Sequence, residues 1–208
     1  KIRDGSQAYH NECIGSLSLG VKIGETYTDY SQGSVRQTGG TYDLALSGSG
    51  FFTVSVTDKA GEVHTRYTRD GRFHLTKDGL LVDADGNAVQ GQNGNITIDP
   101  SSKNVSISAT GQITADGELV DTLNIVDFED YDYLKKYGDT MYEPVDGATT
   151  KDAEGEILQG YTEQSNVNVV REMVDMITIT RAYEASQKVI HSYDSMLDKS
   201  VNQVGALK

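Results

Sequence analysis

The 208-residue sequence predicts a mainly β protein that ends in one long α-helix. Two observations carry this. Up to about residue 162, short apolar runs alternate with turn-forming Asp-Gly pairs, whereas residues 163–208 hold a single Gly, Gly205, no Pro, and a helical repeat of apolar side chains. The charge divides the same way: of a formal net charge of −13, the last 46 residues, with five basic and six acidic groups, carry almost none.

In the first regime, Asp70-Gly71, Asp78-Gly79, Asp85-Gly86 and Asp116-Gly117 mark tight hairpins. Gly reaches positive φ without a Cβ clash, and Asp tolerates the same region. Between the turns lie strand-like runs at Phe51–Val56, Arg72–Leu75, Leu80–Val82, Asn95–Ile98, Asn104–Ser108 and Leu119–Phe128. Strands this short and this close imply an antiparallel sandwich or irregular barrel over about residues 35–160. Tyr131, Tyr133 and Tyr137 suggest a short helical turn, and 147–160 reads as loop with a strand at Ile157–Tyr161.

In the second regime, Val169, Met176, Tyr183, Ile190, Leu197 and Val204 recur every seven residues. Seven residues are two helical turns, so these side chains form one stripe along the axis. Ile179, Tyr193 and Val201 widen it, and Val170, Met173, Val174 and Ile177 broaden its first half. Asn166 or Asn168 can cap the start through a side-chain oxygen. A helix over 168–204 spans about 55 Å, longer than the β domain can cover. Burying the six stripe residues is worth at most about 9–18 kcal/mol, at about 1.5–3 kcal/mol each. The predicted assembly interface is therefore Val169, Met173, Met176, Ile177, Tyr183, Ile190, Leu197 and Val204. The competing expectation is an ordinary amphipathic helix packed along its own β domain.

Composition excludes several classes. A pI near 4.6 argues against nucleic acid or an anionic membrane as partner, since both select Lys/Arg-rich faces. A single cysteine, Cys13, excludes an internal disulfide and a cysteine-rich zinc site. No run of 18 apolar residues exists, so no transmembrane helix is expected. The sequence begins at Lys1, without an apolar leader, and is expected to be a processed chain or a fragment.

Several segments resemble those of bacterial flagellar rod and hook proteins. They are Ser31–Gly39, Leu44–Leu46 with Gly48–Phe52, the Tyr67-Thr68-Arg69-Asp70-Gly71-Arg72-Phe73 hairpin, Gly79–Val82, and Gly86–Val89. Gln159-Gly160-Tyr161, Ser165–Val170, Met173–Ile177 and Arg181–Ala185 extend the likeness into the helix. The resemblance covers most of residues 20–205, in family order, and is greatest for rod proteins of the distal and proximal kind. It implies a domain plan of an extended linker with short strands (1–34), a β-rich domain (35–162), and the C-terminal helix (163–208) as half of a terminal coiled-coil domain. The other half, an N-terminal helix, would lie upstream of Lys1. The implied function is a structural subunit that self-assembles with helical symmetry into the axial drive shaft carrying torque to the hook. Other rod and hook proteins and the flagellar export apparatus are the implied partners, and the basal body the implied location. Neither cofactor, metal, catalytic residue, nucleic acid nor small-molecule substrate is expected. The alternative is an extracellular β-rich binding or adhesin module; a third reading is a hydrolase using the domain's carboxylates.

Other motifs carry less. Asp83–Asn87 looks like the start of a calcium loop, but Ala88 and Gly94 stand where that loop needs Gly and Glu, so a hairpin turn is expected. Asp127, Glu129, Asp130 and Asp132 read as a solvated acidic loop, and Gly48-Ser49-Gly50 as a tight turn. His64 and His74 are placed to face each other across one hairpin, and Cys13 reads as an incidental thiol. Arg66, Arg69 and Arg72 are candidates to meet the acidic surface of a neighbouring subunit.

Overall fold

A computed structural model describes residues 22, 24, 26–58 and 61–204, with the side chains of 203 and 204 outside the described set. Cys13 lies outside it too, as does most of the expected 1–34 linker. Among the described residues the order is β1 (Val35–Gln37), β2 (Leu44–Ser47), β3 (Phe51–Thr57), β4 (Val63–Thr68), β5 (His74–Leu75), β6 (Leu81–Val82), β7 (Ala88–Gly91) and β8 (Gly94–Asn95). There follow β9 (Val105–Ile107), β10 (Gln112–Ala115), β11 (Glu118–Thr122), β12 (Ile125–Phe128), a 3-10 turn (Tyr131–Tyr133), β13 (Leu134–Tyr137) and β14 (Met141–Pro144). Last come β15 (Thr150–Asp152), β16 (Glu156–Gln159), β17 (Tyr161–Glu163), α1 (Val169–Lys199) and a π turn (Ser200–Val204).

The mainly β architecture with one C-terminal helix is as the sequence predicts, but the sheets stay open and no barrel closes. The large antiparallel sheet runs β13-β14-β4-β3-β7-β6-β5, and its end strands are not joined. It forks at β3, whose one edge pairs with β12 through Phe51 and Phe52 and with β7 through Val54 and Ser55. Side chains alternate across a strand, so neighbouring phenylalanines enter different layers. Phe52 and Val54 join the main core with Leu44, Leu46, Leu81, Val89, Ile96, Ile98 and Ile113. Phe51 faces an aromatic layer, with edge-on contacts to Phe128, Tyr131 and Tyr142.

Three of the four Asp-Gly pairs make hairpin turns. Asp116 (φ 51°) and Gly117 (φ 92°) form the two-residue link of β10 and β11. Gly79 and Gly86, also at positive φ, turn β5 into β6 and β6 into β7. Asp70-Gly71 is different: β4 and β5 are not paired, and Gly71 is required because a Cβ there would run into the Leu44 carbonyl. That close approach lets the Leu44 N–H donate to the Gly71 carbonyl at 2.9 Å. His64 and His74, on these two strands, consequently do not face each other across a hairpin.

Other expectations need correction. The predicted strand Leu119–Phe128 is two strands, because the chain crosses between sheets at Leu123 and Asn124, whose N–H groups donate to Gly111 and Gln90. Asp130 caps the 3-10 turn at Tyr131–Tyr133, but Tyr137 lies beyond it on β13. The predicted strand Ile157–Tyr161 breaks at Gly160, whose φ of +79° no strand can accommodate, giving β16 and β17.

Candidate functional site

Asn168 caps α1, its Oδ1 accepting from the Val170 and Arg171 N–H groups at 3.1 and 3.2 Å. Glu172 in the first turn and Lys199 in the last match the helix dipole. Mid-helix, Thr178 and Thr180 hydroxyls donate to the Val174 and Met176 carbonyls, so these β-branched polar residues satisfy themselves without a tertiary partner.

No residue of α1 is buried. Val169, Met176, Tyr183, Ile190 and Leu197 are each 59–67% exposed, and Met173 and Ile177 are likewise open. The expectation of a helix packed along its own domain is overturned. Val204 does not continue the α-helical repeat: the backbone from Ser200 winds as a π turn, and the Val204 side chain lies outside the described residues. A straight helix rotates a seven-residue repeat by about 20° per heptad, so the stripe turns through about 80° from Val169 to Leu197. Only a partner that coils left-handed around α1 can follow it.

The base of α1 is built from the segments around β1 and β17. These pair antiparallel, Val35 with Glu163 and Gln37 with Tyr161. Past the ladder, the Gln164 N–H donates to the Ser34 carbonyl at 2.8 Å, and Asn166 Nδ2 donates to the Ser31 carbonyl and hydroxyl at 3.1 and 3.0 Å. Gly33 lies so close to Gln164 that a Cβ would strike its carbonyl, and its N–H donates to Glu163 Oε1 at 2.8 Å. The other carboxylate oxygen of Glu163 takes the Arg69 Nε proton at 2.8 Å. Arg69 also donates to the Gly50 and Gly48 carbonyls. Gln32 grips the same turn, donating to the Leu46 carbonyl and accepting from the Gly48 N–H.

The arginines are thus engaged within the chain rather than held out for a neighbour's acidic surface. Arg66 is buried, 3.6 Å from Glu143 and stacked 3.3 Å from the centre of the Tyr137 ring. Arg72 pairs with Asp70.

The acidic stretch is not wholly solvated, since Asp127 is buried on β12. Its carboxylate accepts from Tyr131 Oη and the Phe128 N–H at 2.8 Å and lies 3.1 Å from Lys151 Nζ. Burial pushes this carboxyl up, but donors from Tyr131, Ser49, Phe128 and Lys151 outweigh it and hold it below its ordinary value. Burial, and then the bond to Asp127, push the Tyr131 hydroxyl up to about 12.

Asp83 serves the β6–β7 turn, accepting from the Asp85 and Asn87 N–H groups, as expected of a hairpin. A groove of about 160 Å³ is lined by Asp70, Arg72, Asp83, Asp85 and Asp139, with Thr68 and Thr140. Among the described residues no group of three or more His, Cys, Asp or Glu could hold a metal ion.

The family model of the flagellar basal body rod FlgEFG protein C-terminal matches residues 158–204, and that of the flagellar hook protein FlgE/F/G D1 domain matches 45–115. Both describe the class of flagellar rod and hook proteins. Flagellar basal-body rod protein FlgG of Buchnera aphidicola subsp. Schizaphis graminum is 36% identical over 196 residues, covering 88% of this chain and 73% of the relative. FlgG of Bacillus subtilis is 32% identical over 205 residues (89% and 74%) and FlgF of Caulobacter vibrioides 34% over 181 (86% and 72%). The chain belongs to the flagellar basal-body rod protein family, of the FlgG/FlgF type. That membership replaces the alternative of an extracellular binding module.

Proposed function

We propose that this structural subunit of the basal-body rod joins its neighbours by burying the apolar stripe of α1. The observation that carries the reading is the open stripe itself: a 31-residue helix with seven-residue apolar spacing and no buried residue. Val169, Met173, Met176, Ile177, Tyr183, Ile190 and Leu197 form the interface, and Val204, in the π turn, lies outside the repeat. Copies repeat head to tail with helical symmetry, since a non-closing contact generates a filament. Helices make the densely packed inner layer and β domains the outer one, and the shaft transmits torque to the hook. Other rod and hook proteins cap and continue it, and the flagellar export apparatus delivers the subunit. The subunit works as structure, without a catalytic site, cofactor, nucleic acid or small-molecule substrate.

The test is a Met176→Asp/Tyr183→Asp variant in flagellated cells that rely on this protein. Both positions are solvent-exposed in the isolated chain, so its thermal unfolding shifts by no more than about 0.5 kcal/mol. Electron microscopy of isolated basal bodies is expected to show rods interrupted at this subunit. Rods of normal length would remove the stripe as the interface.

A further inference from the structure

We propose that Arg69, Glu163, Gln32 and Asn166 form a stiff joint that fixes the direction in which α1 leaves the β domain. The inference rests on the rod reading and names the residues that pass load between the two layers. Three segments meet at this joint. They are residues 31–34 leading into β1, the Gly48–Gly50 turn, and the end of β17 with the residues that lead from it into α1.

Each side chain ties at least two of them. Arg69 spans the turn and Glu163, holding two turn carbonyls and one carboxylate oxygen. Glu163 spends its second oxygen on the Gly33 N–H, which brings in the segment leading into β1. Gln32 reaches back from that segment to Leu46 and Gly48, so the turn is held from both sides. Asn166 fastens the last turn before the helix to Ser31 with two bonds. The Arg69–Glu163 pair is largely shielded, at 22% and 10% side-chain exposure, so water does little to loosen it. None of the four belongs to the apolar core, so packing does not require them. Gln32, Arg69 and Asn166 lie in segments that carry the family resemblance, and Glu163 lies between two of them.

Leverage explains the need. α1 has 31 residues, a lever of about 46 Å. A play of about 10° at its base moves its tip by about 8 Å, more than the roughly 5.4 Å of one helical turn. A loose joint would let the stripe miss its partner by a full turn.

The test is a distance measurement on the dilute, unassembled chain. Nitroxides are attached at Lys103→Cys and Lys188→Cys in a Cys13→Ser background, and pulsed electron paramagnetic resonance reads the distance distribution. Arg69→Leu and Glu163→Ala are expected to broaden it at least twofold, Arg69→Lys to lie between, and Asn166→Ala to broaden it as well. Arg72→Leu, which breaks an ion pair away from the joint, is expected to leave the width unchanged. Wild-type widths in folded Arg69→Leu and in Asn166→Ala would overturn the proposal. Asn166 is at the surface, so that variant decides the matter if Arg69→Leu fails to fold. No assembled rod is needed; a failure of the stripe as interface appears only in basal bodies and leaves these widths untouched.

Discussion

Two residues show how much a single contact decides in this fold. Asp127 is fully buried yet anionic because four donors surround it. Asp127→Asn is expected to cost about 1–3 kcal/mol at neutral pH, read by urea unfolding. The folded carboxyl titrates below its unfolded value near 3.8, so its contribution is complete above that value and fades as pH falls through the lower folded one. The gap between wild type and variant therefore closes in acid; a constant gap from pH 7 to pH 2 would refute the assignment. Gly71 is the second case. Gly71→Ala drives a methyl into the Leu44 carbonyl, whereas Gly86→Ala meets open space and suffers only its φ of +89°. The first substitution is expected to lower the unfolding temperature by far more than the second, whose cost is about 1–2 kcal/mol. Nothing in the dipeptide Asp70-Gly71 distinguishes it from the three hairpin turns. The sequence tells that Gly is present, not whether φ or close approach demands it.

Elements differ in how legible they are for a physical reason. The stripe of α1 follows from spacing alone, because a helix is organised by residues three to seven apart, whereas the cap stays open between Asn166 and Asn168 until the structure assigns it to Asn168. Strands such as Phe51–Thr57 are legible where apolar residues run together. Val35–Gln37 is not, being short, exposed, and defined by pairing with residues more than a hundred positions away. The joint at the base of α1 is hidden for the same reason: Arg69 and Glu163 reveal their partnership only once the chain has folded back. Gly33→Ala tests that pairing, since its methyl would strike the Gln164 carbonyl. It is expected to raise amide hydrogen exchange at Arg36 and Gln164 at least tenfold, while amides of β3 in the core keep their protection.

For the whole molecule, charge and seam work against each other. The chain carries −13, nearly all of it outside the helix, so in the proposed assembly the β domains of neighbouring copies would repel while their stripes attract. Salt shortens the reach of that repulsion to about 8 Å at 0.15 M without weakening apolar burial. Self-association of the chain is therefore expected to strengthen between about 20 and 300 mM NaCl; sedimentation velocity reads it, and weaker association at high salt would point to an interface held by ion pairs instead.

The π turn at Ser200–Val204 adds a constraint on size. Its wider coil takes up extra residues per turn, so a neighbour keeping strict seven-residue step falls out of phase past Lys199. The proposed interface is thereby confined to the four heptads from Val169 to Leu197, about 42 Å at 1.5 Å per residue. The tail carries its own ruler, and in the proposed shaft it would set how far one molecule can zip onto the next.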